Sequence, residues 1–131
     1  MMKDFYDFGG RLMSYLFLAY PNCSTCKNAR NWLEKNHIAF EERNIKEQPP
    51  TKEELKAWSA KTTLPLERFF NTSGVVYREK NLKEKIKVMT QEEKFDELSS
   101  DGMLVKRPLL IGADNVLIGF KEEEWKKVGL S

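Results

Sequence analysis

Two cysteines, one histidine and no long apolar run set the first limits on this chain of 131 residues. Cys23 and Cys26 are too close together to staple distant elements, which excludes the disulfide framework of small secreted domains. A structural zinc site needs a second Cys or His pair. His37 stands alone, so no metal is expected. No stretch approaches the ~20 apolar residues that cross a bilayer. The mostly apolar run from Leu12 to Tyr20 is short and holds Ser14. It lacks the basic flank and the small residues of a secretory leader. Charge of one sign is also missing. The 22 basic and 20 acidic side chains are interspersed and leave a net +2. No basic run demands direct contact with nucleic acid. These absences point to a cytoplasmic chain with neither a membrane nor a nucleic acid as direct partner.

What remains is an ordinary globular composition, 40% apolar and 32% charged, at a length that suits one domain. Residues 1–13 read as an N-terminal extension, set off by Gly9-Gly10. Residues 14–131 read as one domain. Tyr15-Leu16-Phe17-Leu18-Ala19-Tyr20 is a continuous aromatic and apolar run, the pattern of a strand buried on both faces. Pro21-Asn22 breaks it. From Ser24 to Asn36 the period becomes helical, with Cys26, Ala29, Arg30, Leu33 and His37 on one face. Ile38 to Ile45 partly alternates and predicts a second strand, giving a strand–helix–strand unit with a parallel pair.

A helical middle follows over about residues 51–100. Thr51-Lys52-Glu53-Glu54 and Thr90-Gln91-Glu92-Glu93 have capping-box form and open two of its helices. Shorter helical regions are predicted at Leu64–Phe70 and Leu82–Ile86, with a turn at Asn71–Gly74. The charge-rich stretch from Arg78 to Lys87 reads as a solvated face. Pro108–Gly112 and Val116–Gly119 then predict a hairpin. Lys121–Val128 predicts a closing helix with Trp125 on its apolar side. The order is β-α-β, helices, then β-β-α, an α/β fold.

The chemistry concentrates at Cys23-Ser24-Thr25-Cys26. A thiol attacks as thiolate. A cysteine at a helix start meets unpaired N–H groups and the positive end of the helix dipole, both favourable to an anion. Lys27 and Arg30 add positive charge one and two turns on. Cys26 is close enough in sequence to attack a mixed disulfide formed on Cys23. Cys23 is therefore the candidate nucleophile and Cys26 the candidate resolving thiol. Arg107-Pro108 is a second constellation. A cis bond there would let Arg107 face the thiol, although a trans proline beside a solvent-facing arginine is the commoner case. Asn71, at the head of a turn, is a candidate substrate contact. His37, near a helix end, reads as a dipole contact.

Taken together, Tyr20-Pro21-Asn22-Cys23-Ser24-Thr25-Cys26-Lys27-Asn28-Ala29, Phe69-Phe70-Asn71-Thr72-Ser73-Gly74, Tyr77-Arg78 and Lys106-Arg107-Pro108-Leu109-Leu110 resemble the arsenate reductase (glutaredoxin-type)/Spx/MgsR family. The resemblance runs from about Ser14 to the C-terminus. It implies a thioredoxin-like fold with a helical insertion, a cis peptide before Pro108, and Arg107 near the thiol. It also implies a thiol-dependent reductase whose electrons come from glutathione, glutaredoxin or thioredoxin, with no bound cofactor. Its partner would be a redox protein or a small thiol. The arsenate reductases of this kind surround the oxyanion with several arginines. Cys23 and Arg107 match two of their positions, but Asn71 stands where an arginine is expected and none falls near Phe120. The Spx branch carries the CxxC and the matching arginine. It implies instead a redox-sensing transcriptional regulator that binds RNA polymerase.

Overall fold

The computed structural model describes residues 14–127. The extension predicted over residues 1–13 and the predicted helix end at Val128 lie outside them. The chain divides into two units, one of residues 14–44 and 107–127 among those described, the other Ile45–Lys106.

The first unit is a four-stranded sheet with two helices. Strands β1 (Tyr15–Ala19), β2 (Phe40–Asn44), β3 (Leu109–Ile111) and β4 (Val116–Ile118) lie in the order β2-β1-β3-β4. β1 pairs parallel with β2 and antiparallel with β3, and β3 pairs antiparallel with β4. The parallel pair needs a crossover, which α1 (Ser24–Lys35) supplies. As the apolar run predicts, Phe17, Leu18 and Ala19 of β1 are buried. Beneath the sheet, Phe17, Ala19, Cys26, Ala29, Trp32, Leu33, Leu110 and Trp125 form one core. Trp125 comes from α6 (Glu122–Lys127), where it meets Trp32 and Phe120 edge-on at centroid distances of 5.9 and 4.8 Å. This unit has the thioredoxin-like layout expected from the β-α-β and β-β-α order.

The predicted face of α1 needs correction at two positions. Its buried residues are Cys26, Ala29, Trp32 and Leu33. Arg30 and His37 are not among them. Arg30 binds Glu42 of β2, with Nε donating to Oε1 at 2.7 Å and a second guanidinium nitrogen to Oε2 at 2.6 Å. This two-pronged, charge-assisted pair holds Arg30 at the margin of the core face. His37 lies past the helix end, at φ 57°. There its N–H donates to the Glu34 carbonyl and the Ile38 N–H to the Leu33 carbonyl. Those two bonds make a Schellman motif with histidine in the left-handed position that favours glycine. They also hold Ile38 in the turn, so β2 begins at Phe40 rather than at Ile38. Replacing His37 by Gly relieves the left-handed strain and is expected to stabilise the chain by about 0.5–1 kcal/mol, read from the urea unfolding midpoint.

The second unit is helical. α2 (Lys52–Ser59) and α5 (Gln91–Ser100) both open with complete capping boxes, as their sequences predict. Thr51 Oγ1 accepts from the Glu54 N–H at 3.0 Å, and Glu54 Oε1 accepts from the Thr51 N–H at 2.9 Å. Leu66–Phe69 is a 3₁₀ turn, and α3 (Val75–Glu79) and α4 (Leu82–Lys85) follow. α3 and a 3₁₀ turn at Gly102–Leu104 have no counterpart in the sequence prediction. Gly102 is required by close approach, since a Cβ would lie 1.9 Å from the Ile45 carbonyl oxygen.

α2 and α5 share a charge network. Lys52 Nζ reaches Glu92 at 2.7 Å and Asp96 at 2.8 Å, and Lys56 reaches Glu92 at 2.8 Å. Lys52, then Lys56, pulls the Glu92 carboxyl from 4.5 down to about 2. A carboxylate depressed in this way adds stability above its ordinary range and loses it as pH falls toward the depressed value. The unfolding midpoint is expected to drop between about pH 4.5 and 2 more steeply in the wild type than in Glu92→Gln. Because these groups are exposed, added salt is expected to shrink the difference.

Candidate active site

Pro21 and Asn22 end β1, and Cys23 becomes the N-cap of α1, with extended φ −99° and ψ 114°. Its sulfur takes the place of a capping hydroxyl. The Cys26 N–H donates to Cys23 Sγ at 3.2 Å. No acidic side chain lies in the first turn of α1, so no carboxylate competes for the positive end of the helix. Cys23 is partly exposed and Cys26 fully buried, both as free thiols.

The two sulfurs are unequal. Burial pushes the Cys26 thiol up to about 12, with further help from its hydrogen bond to Cys23 and from the charge of Cys23. A main-chain hydrogen bond from Tyr20 and the charge of Arg107 act the other way. Cys26 therefore keeps its proton at neutral pH while Cys23 reaches solvent.

Arg107 is joined to Pro108 by a cis peptide bond, as the resemblance implies. Its guanidinium carbon lies 5.5 Å from the centre of the Tyr20 ring, and its field is felt at Cys26. Pro108, which has no N–H to give, lies just outside β3, and its carbonyl accepts from the Gly119 N–H at 2.8 Å.

The other candidates are dispersed. The Lys27 side chain is exposed on α1. Arg30 is engaged by Glu42 and lies 5.9 Å from the Phe17 ring, and Cys26 feels its charge only through space. Asn71 belongs to the second unit. Its N–H donates to the Leu104 carbonyl at 2.7 Å, and its side-chain amide reaches the Met103 carbonyl at 3.5 Å. A cleft of about 550 Å³ runs between α1 and α6, walled by Asn28, Asn31, Trp32, Lys35, Phe120 and Glu122 among others, and neither sulfur lines it. The sequence reading gave no role to Tyr20, whose ring lies against Arg107. Its only signal was an aromatic side chain at the end of the strand that leads into the cysteines.

A strand, a thiol pair at a helix mouth and an arginine before a cis proline match a known family across most of the chain. Residues 18–128 fit the ArsC family model. The chain belongs to the ArsC family. It is 50% identical to the uncharacterized protein YusI of Bacillus subtilis, over 88% of this chain and 98% of that one. It is 32% identical to the regulatory protein MgsR of the same organism, over 86% and 87%. Among solved structures, an ArsC family related protein from Bacteroides fragilis superimposes with a TM-score of 0.85 at 52% identity, covering 88% of this ArsC-family chain and 98% of the other. The family assignment agrees with the thiol-oxidoreductase layout of the first unit. Among the described residues no helix is long and apolar enough to cross a membrane.

Proposed function

We propose that this ArsC-family chain is a cytoplasmic thiol–disulfide reductase in which Cys23 attacks and Cys26 resolves. The observation that carries the reading is the asymmetry of the pair: Cys23 caps the helix at the surface, while Cys26 is buried and pushed up to about 12. In the first step the Cys23 thiolate attacks one sulfur of a substrate disulfide. A Cys23–sulfur bond forms, and the other half leaves as thiolate. In the second step Cys26 loses its proton to solvent or to the departing group and attacks Cys23 Sγ. A Cys23–Cys26 disulfide forms and the second half of the substrate leaves. The substrate gains two electrons and the pair loses two. An external thiol, glutathione, glutaredoxin or thioredoxin, then returns them.

Burial is the largest cause that holds the Cys26 thiol up, but part of the rise is lost once Cys23 is capped. Two of the three effects that raise Cys26, the hydrogen bond to Cys23 and its charge, come from Cys23 itself. Both end when Cys23 is tied up in a mixed disulfide. Tyr20 and Arg107 then act against desolvation alone. Cys26 is thus held protonated more firmly before the first attack than after it.

The test is turnover of a model disulfide, and separately of arsenate, with each of the three donors. Activity that Cys23→Ser removes supports the reductase. A second reading is favoured by the likeness to MgsR: a regulator whose Cys23–Cys26 disulfide alters docking on RNA polymerase. Absence of turnover with every donor, together with polymerase capture that depends on oxidation, replaces the first reading by the second.

A further inference from the structure

We propose that Tyr20 is a positioning residue: its ring anchors the Arg107 guanidinium at the thiol pair for the resolving step. The proposal rests on the reductase reading and deepens its second step. Arginine is long and rotamer-rich, and it acts on a sulfur only if it is held close. β3 begins two residues after Arg107 and places the arginine's main chain, but the side chain needs its own anchor. One such anchor is a ring face 5.5 Å from the guanidinium carbon, within the range where the negative face of an aromatic attracts a cation.

Tyr20 is well placed for this task. It is the residue between β1 and the Pro21-Asn22 break. Its carbonyl accepts from the Cys23 N–H at 3.1 Å, and its main chain also hydrogen-bonds Cys26. One residue therefore touches both cysteines through its backbone and the arginine through its ring. The geometry makes Tyr20 the link between Arg107 and the thiol pair. The ring rather than the hydroxyl is the working part, so Phe serves and Leu does not.

The experiment follows the second step alone. Reaction with 4,4′-dithiodipyridine, a neutral disulfide that Arg107 has no charge to bind, releases one thiopyridone as Cys23 is capped. It releases a second as Cys26 attacks the capped sulfur. In Tyr20→Leu the second release at pH 7 is expected to slow by roughly three- to tenfold, and the loss to narrow as pH rises and Cys26 ionises without help. Tyr20→Phe is expected to stay within about twofold of wild type. Arg107→Met is expected to slow the step as Tyr20→Leu does, and the double variant to be no slower than Arg107→Met. Wild-type kinetics in Tyr20→Leu would overturn the proposal. So would an equal further loss when Tyr20→Leu is added to Arg107→Met, because Tyr20 would then act by another route. Failure of the wild type to release a second thiopyridone is a different result, and it defeats the reductase reading itself.

Discussion

Cys26→Ser is expected to accumulate a covalent adduct on Cys23 that the wild-type chain discharges. With the second sulfur removed, the mixed disulfide formed in the first step has only bulk thiols to resolve it. Oriented intramolecular partners act at effective concentrations far above any millimolar thiol pool, so discharge is expected to slow by at least about a hundredfold. Intact-mass spectrometry reads the adduct directly, with glutathione disulfide as the probe. The companion variant Cys23→Ser is expected to form no adduct, because Cys26 is fully buried and the partly exposed sulfur is gone. Labelling with iodoacetamide at pH 7 gives an independent check. One label is expected on Cys23 and none on Cys26 in the native protein, with both modified after denaturation. Equal labelling of the two cysteines in the native chain would remove the asymmetry on which the mechanism rests.

Trp125→Ala is expected to be the most damaging single change in the first unit. Trp125 is fully buried. Its ring contacts Trp32 and Phe120 edge-on, and its Nε1–H donates to the Gly119 carbonyl at 3.1 Å. The substitution removes a large apolar surface, leaves a cavity against Trp32, and strands a carbonyl near the end of β4. Together these are expected to cost about 3–5 kcal/mol, measured by urea unfolding. Trp125→Phe restores most of the volume but not the donor and is expected to cost less. Trp32 also lies along α1 between the thiol pair and the helix end, so slower thiol exchange in a still-folded Trp125→Ala is expected to accompany the loss.

Much of this was legible in the residues because the signals were local. Both capping boxes are four-residue patterns whose two hydrogen bonds close within one turn, and both formed at Thr51 and Thr90. The buried strand β1 announced itself as an unbroken apolar run. Cys23 was readable as a helix cap because Pro21-Asn22 fixes where the strand stops. α3 was not legible, since a five-residue helix is too short to show a period. The partner of Arg30 was hidden for a related reason. Spacing on α1 placed it beside Cys26 and Leu33, but its partner Glu42 lies on β2 and only folding reveals it. The left-handed turn at His37 was hidden because histidine gives no warning of it where glycine would.

The chain order alone determined the element sequence, the thiol pair at the strand–helix junction and the two capped helices, since each depends on neighbours a few residues apart. Only the tertiary structure decided that Cys26 is buried while Cys23 is not, that Arg30 is engaged by Glu42, and that Arg107 lies over Tyr20. Those facts depend on which distant segments the sheet brings together. Burial and charge at a sulfur are sums over everything packed around it, and no local pattern contains that sum.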